Sequence, residues 1–454
     1  MKIIIAGACQ VGTHLAKMLS STGNNEITLI DSVQERLTAA AENADIVTIC
    51  GDSSSIKILQ DAAVDQADLF VAVNPSSNQN QNLVSALLAK KLGSKKVVAR
   101  VSNEEYLSYD NRILFTDMGI DLLFYPERIA ATEIVELLKN ASASESLDFA
   151  RGRLQLSVLK LEEDSPVLDE KLIDFSREIA DKYNISFRIV AVSRLGETII
   201  PGPDFKFKER DMLYIISLRE SLSPLLKVLG RQETVARRVM ILGGSNIGCM
   251  VATQLVDNTE EVKIIDNNRK TCLKMTEELD SHIKVVCGDA RDTDLLIEEG
   301  IRGYDVVIAV TDSAETNILS CVAAKRLGVP KTIAGVENIE YLRLAEEMGI
   351  DTTINRKLIA AAKIFRLTLS DKVKFIKYMN GTNAEVLEYI VEENSAIVGK
   401  SLKDISFPSG ALIGGVIRGT DAFIAVGSSV LKAYDRVIVF SVPGSVAAVD
   451  KLFK

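Results

Sequence analysis

The chain of 454 residues states one pattern twice, and that repetition constrains its fold more than any single motif. "IIIAGACQVG", Ile3 to Gly12, returns as "VMILGGSNIG", Val239 to Gly248. "EITLID", ending at Asp31, returns as "EVKIID", ending at Asp266, and "VTICGD", ending at Asp52, returns as "KVVCGD", ending at Asp289. "DLFVAV" (Asp68 to Val73) is matched by "DVVIAV" (Asp305 to Val310), and "NLVSALLAKKLG" from Asn82 by "NILSCVAAKRLG" from Asn317. Five blocks in one order at an offset of about 236 make the sequence a tandem duplication.

Within each copy, short β-branched runs alternate with helical patterns. In the first, strands are expected near residues 2–6, 26–30, 46–50, 69–73, 96–101 and 121–125, and helices near 10–21, 33–42, 56–64, 79–92 and 104–118. Alternation of this kind implies a parallel sheet covered on both faces, a doubly wound Rossmann-like α/β fold. A helix from Pro126 to Asn140 closes this domain. After the small-residue stretch 141–146 the pattern becomes strand pairs with Gly/Pro turns, a small α+β domain that recurs near the C-terminus. Arg194 and Asp211 are seventeen apart, as are Arg418 and Asp435, so this domain is duplicated too. The charged linker "RQETVARR" divides the halves. Four domains are expected: Rossmann-like at 1–140, small α+β at 147–230, Rossmann-like at 237–371 and small α+β at 382–454.

Bulk properties narrow the function. The net charge is −9, and no Lys/Arg run interleaves with aromatics, which argues against nucleic acid as a partner. No apolar stretch reaches the roughly eighteen residues of a membrane span, and the N-terminus reads as a strand without a signal-peptide layout. The six cysteines show no C-x-x-C spacing and are expected to be buried, reduced thiols. No cluster with metal-ligand spacing is present.

The first turn of each copy is a dinucleotide fingerprint with one departure. In G-x-G-x-x-G the middle glycine lets the backbone approach a pyrophosphate; here that position is Cys9 and, in the second copy, Ser245. Helix N-terminal N–H groups can still hold an anion, and Ser245 offers a hydroxyl. Candidate loop residues are Gly7, Ala8, Cys9, Gln10, Val11 and Gly12, with Gly243, Gly244, Ser245, Asn246, Ile247 and Gly248 in the second copy. Asp31 and Asp266 follow the first glycine by twenty-four and twenty-three positions, near the spacing of a carboxylate that binds a ribose diol. A carboxylate there repels a 2′-phosphate, so NAD(H) or an adenine nucleotide is favoured over NADP. Asp52 and Asp289 end the third strands. Val73 and Asn74, and Val310 and Thr311, end the fourth, where Rossmann ligands lie. Arg100 ends the fifth and could reach a phosphate; its counterpart is Gly335, so the two sites are not equivalent.

Turnover chemistry is missing. The two histidines, His14 and His282, do not recur between copies, and no G-x-S-x-G, H-E-x-x-H, P-loop or Cys-His arrangement occurs. The competing reading is a soluble NAD-dependent oxidoreductase with duplicated cofactor domains.

With paired Rossmann-like and small domains and "GACQVG…ITLID…CGD…VAV…N…ARV" with its echo, the chain resembles the TrkA family of tandem RCK (KTN) proteins over its whole length. That resemblance implies a non-enzymatic regulatory subunit of bacterial Trk potassium uptake that binds NAD(H), with ATP and ADP as further ligands. It implies a cytoplasmic protein, peripheral on the inner face of the cell membrane. Its partner would be a potassium channel-like subunit of the TrkH/TrkG type, gated through a ring of RCK units, here a homotetramer. Carried over by position, the family's contacts fall on Gly7 to Val11, Asp31, Val73, Asn74 and Arg100, and on Gly243 to Ile247, Asp266 and Thr311.

Overall fold

Ile3, Ile4 and Ile5 follow one another without polar alternation, and all three are fully buried, as expected of a parallel strand covered on both faces. In the computed structural model they lie in β1 (Lys2–Ala6), which pairs in parallel with β2 (Glu26–Asp31) and β4 (Leu69–Ala72). The structure describes every residue except 22–24, 43, 139–144, 184, 195–196, 231–235, 366–372, 379–383 and 454. The stretch 141–146 and the linker 231–238 therefore fall largely outside the described residues, as do positions 140, 371, 382 and 454 of the expected domain limits.

The first sheet adds β3 (Val47–Cys50), β5 (Lys96–Arg100) and β6 (Leu122–Phe124) in the order β3-β2-β1-β4-β5-β6. That is the doubly wound order, with a switch point between β1 and β4. The helices are α1 (Gln10–Ser21), α2 (Gln34–Ala41), α3 (Ile56–Asp61), α4 (Gln79–Leu92), α5 (Tyr109–Asp117) and α6 (Pro126–Leu138). In α1 the spacing of Val11, Leu15 and Leu19 sets one apolar face, and all three are buried.

The first small domain holds β7 (Glu145–Phe149), β8 (Leu154–Lys160), α7 (Leu172–Tyr183), β9 (Phe187–Arg194), β10 (Glu197–Ile199), β11 (Met212–Leu218) and α8 (Arg219–Val228). Its strands form an antiparallel sheet in the order β10-β9-β11-β8-β7.

The second Rossmann-like sheet repeats the first as β14-β13-β12-β15-β16-β17. Its elements are β12 (Arg238–Leu242), α9 (Asn246–Leu255), β13 (Glu261–Asp266), α10 (Arg269–Glu278), β14 (Ile283–Cys287), α11 (Thr293–Glu298), β15 (Val306–Ala309), α12 (Ala314–Arg326), β16 (Lys331–Gly335), α13 (Ile339–Glu347), β17 (Thr352–Ile354) and α14 (Arg356–Phe365). The last sheet, β18-β19-β22-β20-β21, consists of β18 (Val373–Tyr378), β19 (Glu385–Ile390), β20 (Ala411–Arg418), β21 (Asp421–Ile424) and β22 (Arg436–Ser441), and α15 (Val446–Leu452) follows. Position for position this is the strand order of the first small sheet. The segment matching α7 is shorter here and forms only a 3-10 turn at Leu402–Asp404.

Two compact units emerge, and their limits differ from the expected ones. The first contains Met1–Ile129 with Arg356–Ser370, the second Ala130–Asn355 with Asp371–Lys454. In the first, α14 packs on α1, and the His14 imidazole of α1 is held below its ordinary pKa by burial, then by Lys357 of α14 and by Lys17. In the second, Lys331 Nζ donates to the carbonyl of Leu137 at the end of α6. The helix read as closing the first domain thus straddles the division, and α14, from the second copy, completes the first unit. Within the second unit the small sheets share one core, in which Leu156, Val158 and Ile216 meet Val386, Ile438 and Phe440.

Candidate functional site

Each Rossmann-like sheet builds the same cleft at the carboxyl ends of its central strands, and two glycines fix its floor. Gly7 sits at φ +115°, and a Cβ there would lie 2.8 Å from Asn74 N; on Gly12 a Cβ would lie 1.9 Å from the Gly7 carbonyl. Gly243 (φ +113°) and Gly248 repeat this, meeting Thr311 N at 2.7 Å and the Gly243 carbonyl at 2.2 Å. The glycines of the fingerprint that set the turn and the helix–strand contact are therefore sterically obligatory in both copies.

The middle position shows why its side chain is tolerated. Cys9 Sγ donates to the carbonyl of Val73 at 2.9 Å, and Ser245 Oγ donates to the carbonyl of Val310 at 2.7 Å. Both side chains turn onto the end of the fourth strand. Ser245 also caps α9, its oxygen accepting from Gly248 N at 3.3 Å. Its one hydroxyl proton, which the sequence offers to a phosphate, is engaged here with the Val310 carbonyl.

The acids at the ends of β2 and β13 are held by backbone. Ala8 N donates to Asp31 Oδ2 at 2.7 Å and Val33 N to Oδ1 at 2.8 Å. In the second copy Gly244 N donates to Asp266 Oδ2 at 2.7 Å and Asn268 N to Oδ1 at 2.8 Å. Each carboxylate oxygen so fixed keeps lone-pair capacity for a further donor, which suits a vicinal diol. The first site adds a cation, Arg36, whose Nη1 lies 3.8 Å from Asp31 Oδ1. At the third strands, Asp52 Oδ1 accepts from Ser54 Oγ (2.6 Å), Ser54 N (2.8 Å) and Gln81 Nε2 (2.7 Å), and these bonds hold its pKa low. Asp289 is brought down to about 2, chiefly by the side chain of Arg291, whose Nη2 reaches Oδ2 at 2.7 Å.

Sequence reasoning missed a residue that the duplication in fact flags, the first of the fifth matched block. Asn82 Oδ1 accepts from Asn74 N at 2.9 Å, while its Nδ2 donates to the carbonyls of Asn74 and Arg100, each at 3.1 Å. Asn317 does the same for Thr311 N (2.9 Å), the Thr311 carbonyl (3.1 Å) and the Gly335 carbonyl (2.8 Å). One buried amide therefore ties the ends of the fourth and fifth strands in both clefts. Val73 and Val310 are buried at the same strand ends, and Gln10, Val11, Asn246 and Ile247 open the helices beyond the loops.

Arg100 is placed differently from expectation. Its Nη2 donates to Glu127 Oε1 at 3.0 Å, and Arg356 Nη1 approaches the same oxygen at 3.4 Å. Arg100 Nε and Glu127 Oε2 are buried without a hydrogen-bond partner. Two guanidinium groups share one buried carboxylate, which leaves net positive charge and unused donor and acceptor capacity beside the cleft. With Gly335 opposite Arg100, the second site lacks this cluster.

His282 is exposed beside Asp280, before β14 and so at the opposite end of the sheet from the cleft. Among the described residues no group of three or more His, Cys, Asp or Glu side chains could hold a metal ion, and no helix is long and apolar enough to cross a membrane.

The profile of the TrkA-N domain matches residues 3–126 and 239–356, and that of the TrkA-C domain matches residues 386–454. A Trk system potassium uptake protein TrkA homolog of Archaeoglobus fulgidus is 34% identical over 456 residues, covering all of both chains. The TrkA protein of Halomonas elongata is 30% identical over 459 residues, with 100% of this chain and 99% of that one covered. Among solved structures, the GsuK channel bound to NAD superposes on the whole chain and on 78% of its own length, with a TM-score of 0.60 at 18% identity. The GsuK RCK domain gives a TM-score of 0.60 at 17% identity, with 94% of that chain covered. Two TrkA-N segments in tandem, full-length similarity to Trk potassium-uptake proteins and twice-repeated sheet topology lead to one conclusion: this chain belongs to the TrkA family, as a regulatory transport-system protein and not an enzyme.

Proposed function

We propose that this protein senses NAD(H) and adenine nucleotides in two unequal clefts and gates a potassium-conducting membrane subunit of the TrkH/TrkG type from the cytoplasmic face. The observation that carries the reading is the matched pair of acids. Asp31 and Asp266 each end the second strand of a doubly wound sheet and are each fixed by a loop N–H at 2.7 Å, where a ribose diol is recognised. Solved GsuK structures bound to NAD and to ADP share the fold, which supports nucleotide as the ligand class.

The assembly is a homotetramer of the ring kind. Its support is α5, a helix without a buried residue that exposes Tyr109, Ile113 and Leu114, with Met118 just beyond. A tetramer carries eight clefts. Moving a two-state assembly from 1:99 to 99:1 takes about 5.5 kcal/mol of differential affinity, or roughly 0.7 kcal/mol per cleft, so modest sites suffice. Titrating the purified protein with NADH, NAD, ATP and ADP while following heat release and mass by light scattering tests the proposal. Saturable binding by a tetramer supports it. A monomer that binds none of the four nucleotides overturns it.

A further inference from the structure

The two clefts differ at one more pair of positions, and the difference is a thiol. Asp31 pairs in register with Cys50, and Asp266 with Cys287, so each acid has an exposed cysteine on the adjacent strand end. In the first cleft the neighbouring helix α2 presents Leu37, fully buried. In the second, α10 presents Cys272 at the matching position, six residues after the acid. Its Sγ donates to the Asp266 carbonyl at 3.2 Å and lies 3.9 Å from the carbonyl of Val286, the residue before Cys287. Burial, and after it the Cys287 side chain, push the Cys272 thiol up to about 11.

We propose that Cys272 and Cys287 form a site of reversible oxidation, in which a peroxide joins them in a disulfide across the ribose end of the second cleft. Exposed Cys287 meets the oxidant and buried Cys272 resolves it, a common division of labour in redox-sensing pairs. The Cys287 thiol loses its proton to water, and its thiolate attacks one oxygen of hydrogen peroxide. The O–O bond breaks, hydroxide leaves and Cys287 carries a sulfenic acid. Cys272 sulfur then attacks Cys287 sulfur, the S–O bond breaks, and the departing hydroxide takes the Cys272 proton as water. Overall, two thiols lose two hydrogens and one peroxide becomes two waters. Disulfides of this kind in reducing compartments are transient and regulatory.

The location gives the bond a consequence. Cys272 now bonds the main-chain carbonyl of Asp266, whose carboxylate also anchors the start of α10 through Asn268 N. Linking it to Cys287 withdraws that thiol donor and clamps α10 to β14, so the oxidised form binds nucleotide more weakly in the second half. A bound ribose in turn covers Cys287. This coupling rests on the nucleotide reading above, whereas the disulfide itself does not.

The test treats the reduced, full-length protein with hydrogen peroxide and maps its peptides without reduction. The expected product is one peptide pair linked through Cys272 and Cys287, released by dithiothreitol. It is lost in Cys272→Ser, in which Cys287 is over-oxidised to sulfinic acid, and Cys50 in the same sample forms no intramolecular disulfide. If Cys272 stays reduced while Cys287 is over-oxidised, or if Cys287 is found linked to another chain, the proposal is overturned. Saturating ADP or NADH should slow disulfide formation several-fold. A disulfide that forms at one rate with and without nucleotide keeps the oxidation site and removes the coupling. No disulfide under either condition, with nucleotide still bound by calorimetry, removes the oxidation site and keeps the nucleotide reading.

Discussion

Arg418 grips Asp435 with two parallel bonds, Nε to Oδ1 at 2.8 Å and Nη2 to Oδ2 at 2.7 Å. Arg194 and Asp211 repeat the fork at 2.7 and 2.8 Å in the first small domain. Each aspartate is fully buried and also accepts a backbone N–H three residues earlier in the chain, from Lys432 or Lys208. The pair locks the end of one strand (β20 or β9) against the turn that starts its antiparallel sheet neighbour (β22 or β11). Removing the guanidinium leaves a buried carboxylate short of a partner, so Arg418→Leu should destabilise the domain by about 2–3 kcal/mol. Urea unfolding checks this; a loss below about 0.5 kcal/mol would place the pair with ordinary surface ion pairs.

Asp31→Asn should weaken NADH binding in the first cleft by about 1.5–3 kcal/mol, the worth of a charged hydrogen bond to the ribose. Asparagine keeps one acceptor for Ala8 N or Val33 N, so the loop survives better than with alanine, which strands both donors. Asp266→Asn should act likewise on the second cleft. Calorimetry on both variants and on the double variant separates the sites. NADP(H) binding as tight as NADH would show that Asp31 does not read the ribose.

Replacing Cys9 by serine puts into the first cleft the group that the second already uses, an O–H donor to the strand-end carbonyl. Cys9→Ser should therefore leave nucleotide affinity within a few-fold, while Cys9→Val, branched and without a donor, should weaken it. Cys9→Gly gives up the bond to Val73, about 0.5–1.5 kcal/mol, and removes the Cβ that stands where the proposed nucleotide's diphosphate would approach the loop. Affinity should rise and stability of the free protein fall slightly, read by calorimetry and thermal melting in parallel.

Glu346 carries a pH dependence. Burial raises its carboxyl to about 7 against the opposing pull of Lys160. In the unfolded chain it ionises near 4.5, so between the two values the unfolded state sheds a proton that the folded state keeps. Its stabilising contribution is complete below pH 4.5 and is lost as pH rises through about 7. Glu346→Gln should raise stability at pH 8 by about 1–2 kcal/mol and leave it unchanged at pH 4. Urea unfolding at the two pH values decides; an equal gain at both would assign the effect to packing.

Leu114→Glu alters the exposed face of α5, where no buried contact is at stake. The melting temperature should change little, and the mass by light scattering should fall below that of the unmodified protein, proposed to be a tetramer. A variant that still assembles would place the contact elsewhere.

Much of the fold was legible because parallel sheets and amphipathic helices write their periods into sequence. Most strand and helix limits fell within a few residues of those expected, with α1 at Gln10–Ser21 and α4 at Gln79–Leu92, while the helix expected from 104 begins only at Tyr109, after a 3-10 turn at Glu104–Leu107. Which sheet a helix serves is not written in its period. The side of the division on which α14 falls follows from packing on α1, and no spacing in 356–365 betrays it. The acids Asp31 and Asp266 were visible through their distance from the glycine. Asn82 and Asn317 were visible as repeated letters but not as the amides that join two strand ends, because asparagine in a helix pattern carries no signal of its own. Arg100 was read from its strand-end position alone; its engagement with Glu127 depends on where α6 begins. Cys50 and Cys287, read as buried, end the outermost strands β3 and β14, where nothing covers them.

The packing of α14 on α1 sets an order of events during synthesis. On α1 the half-buried His14 imidazole lies beside Lys357 of α14, and that helix, which packs on α1, begins at Arg356. A ribosome that has just finished the first Rossmann-like segment has made the residues of the first candidate site but not the helix that packs on α1. The N-terminal unit can reach its final state only after more than two hundred further residues have emerged. A chain cut in the linker would release a first half without the helix that packs on α1, a substrate for chaperones and proteases more than a working domain. Reading the protein as two interchangeable halves holds for its ancestry, and fails for its manufacture.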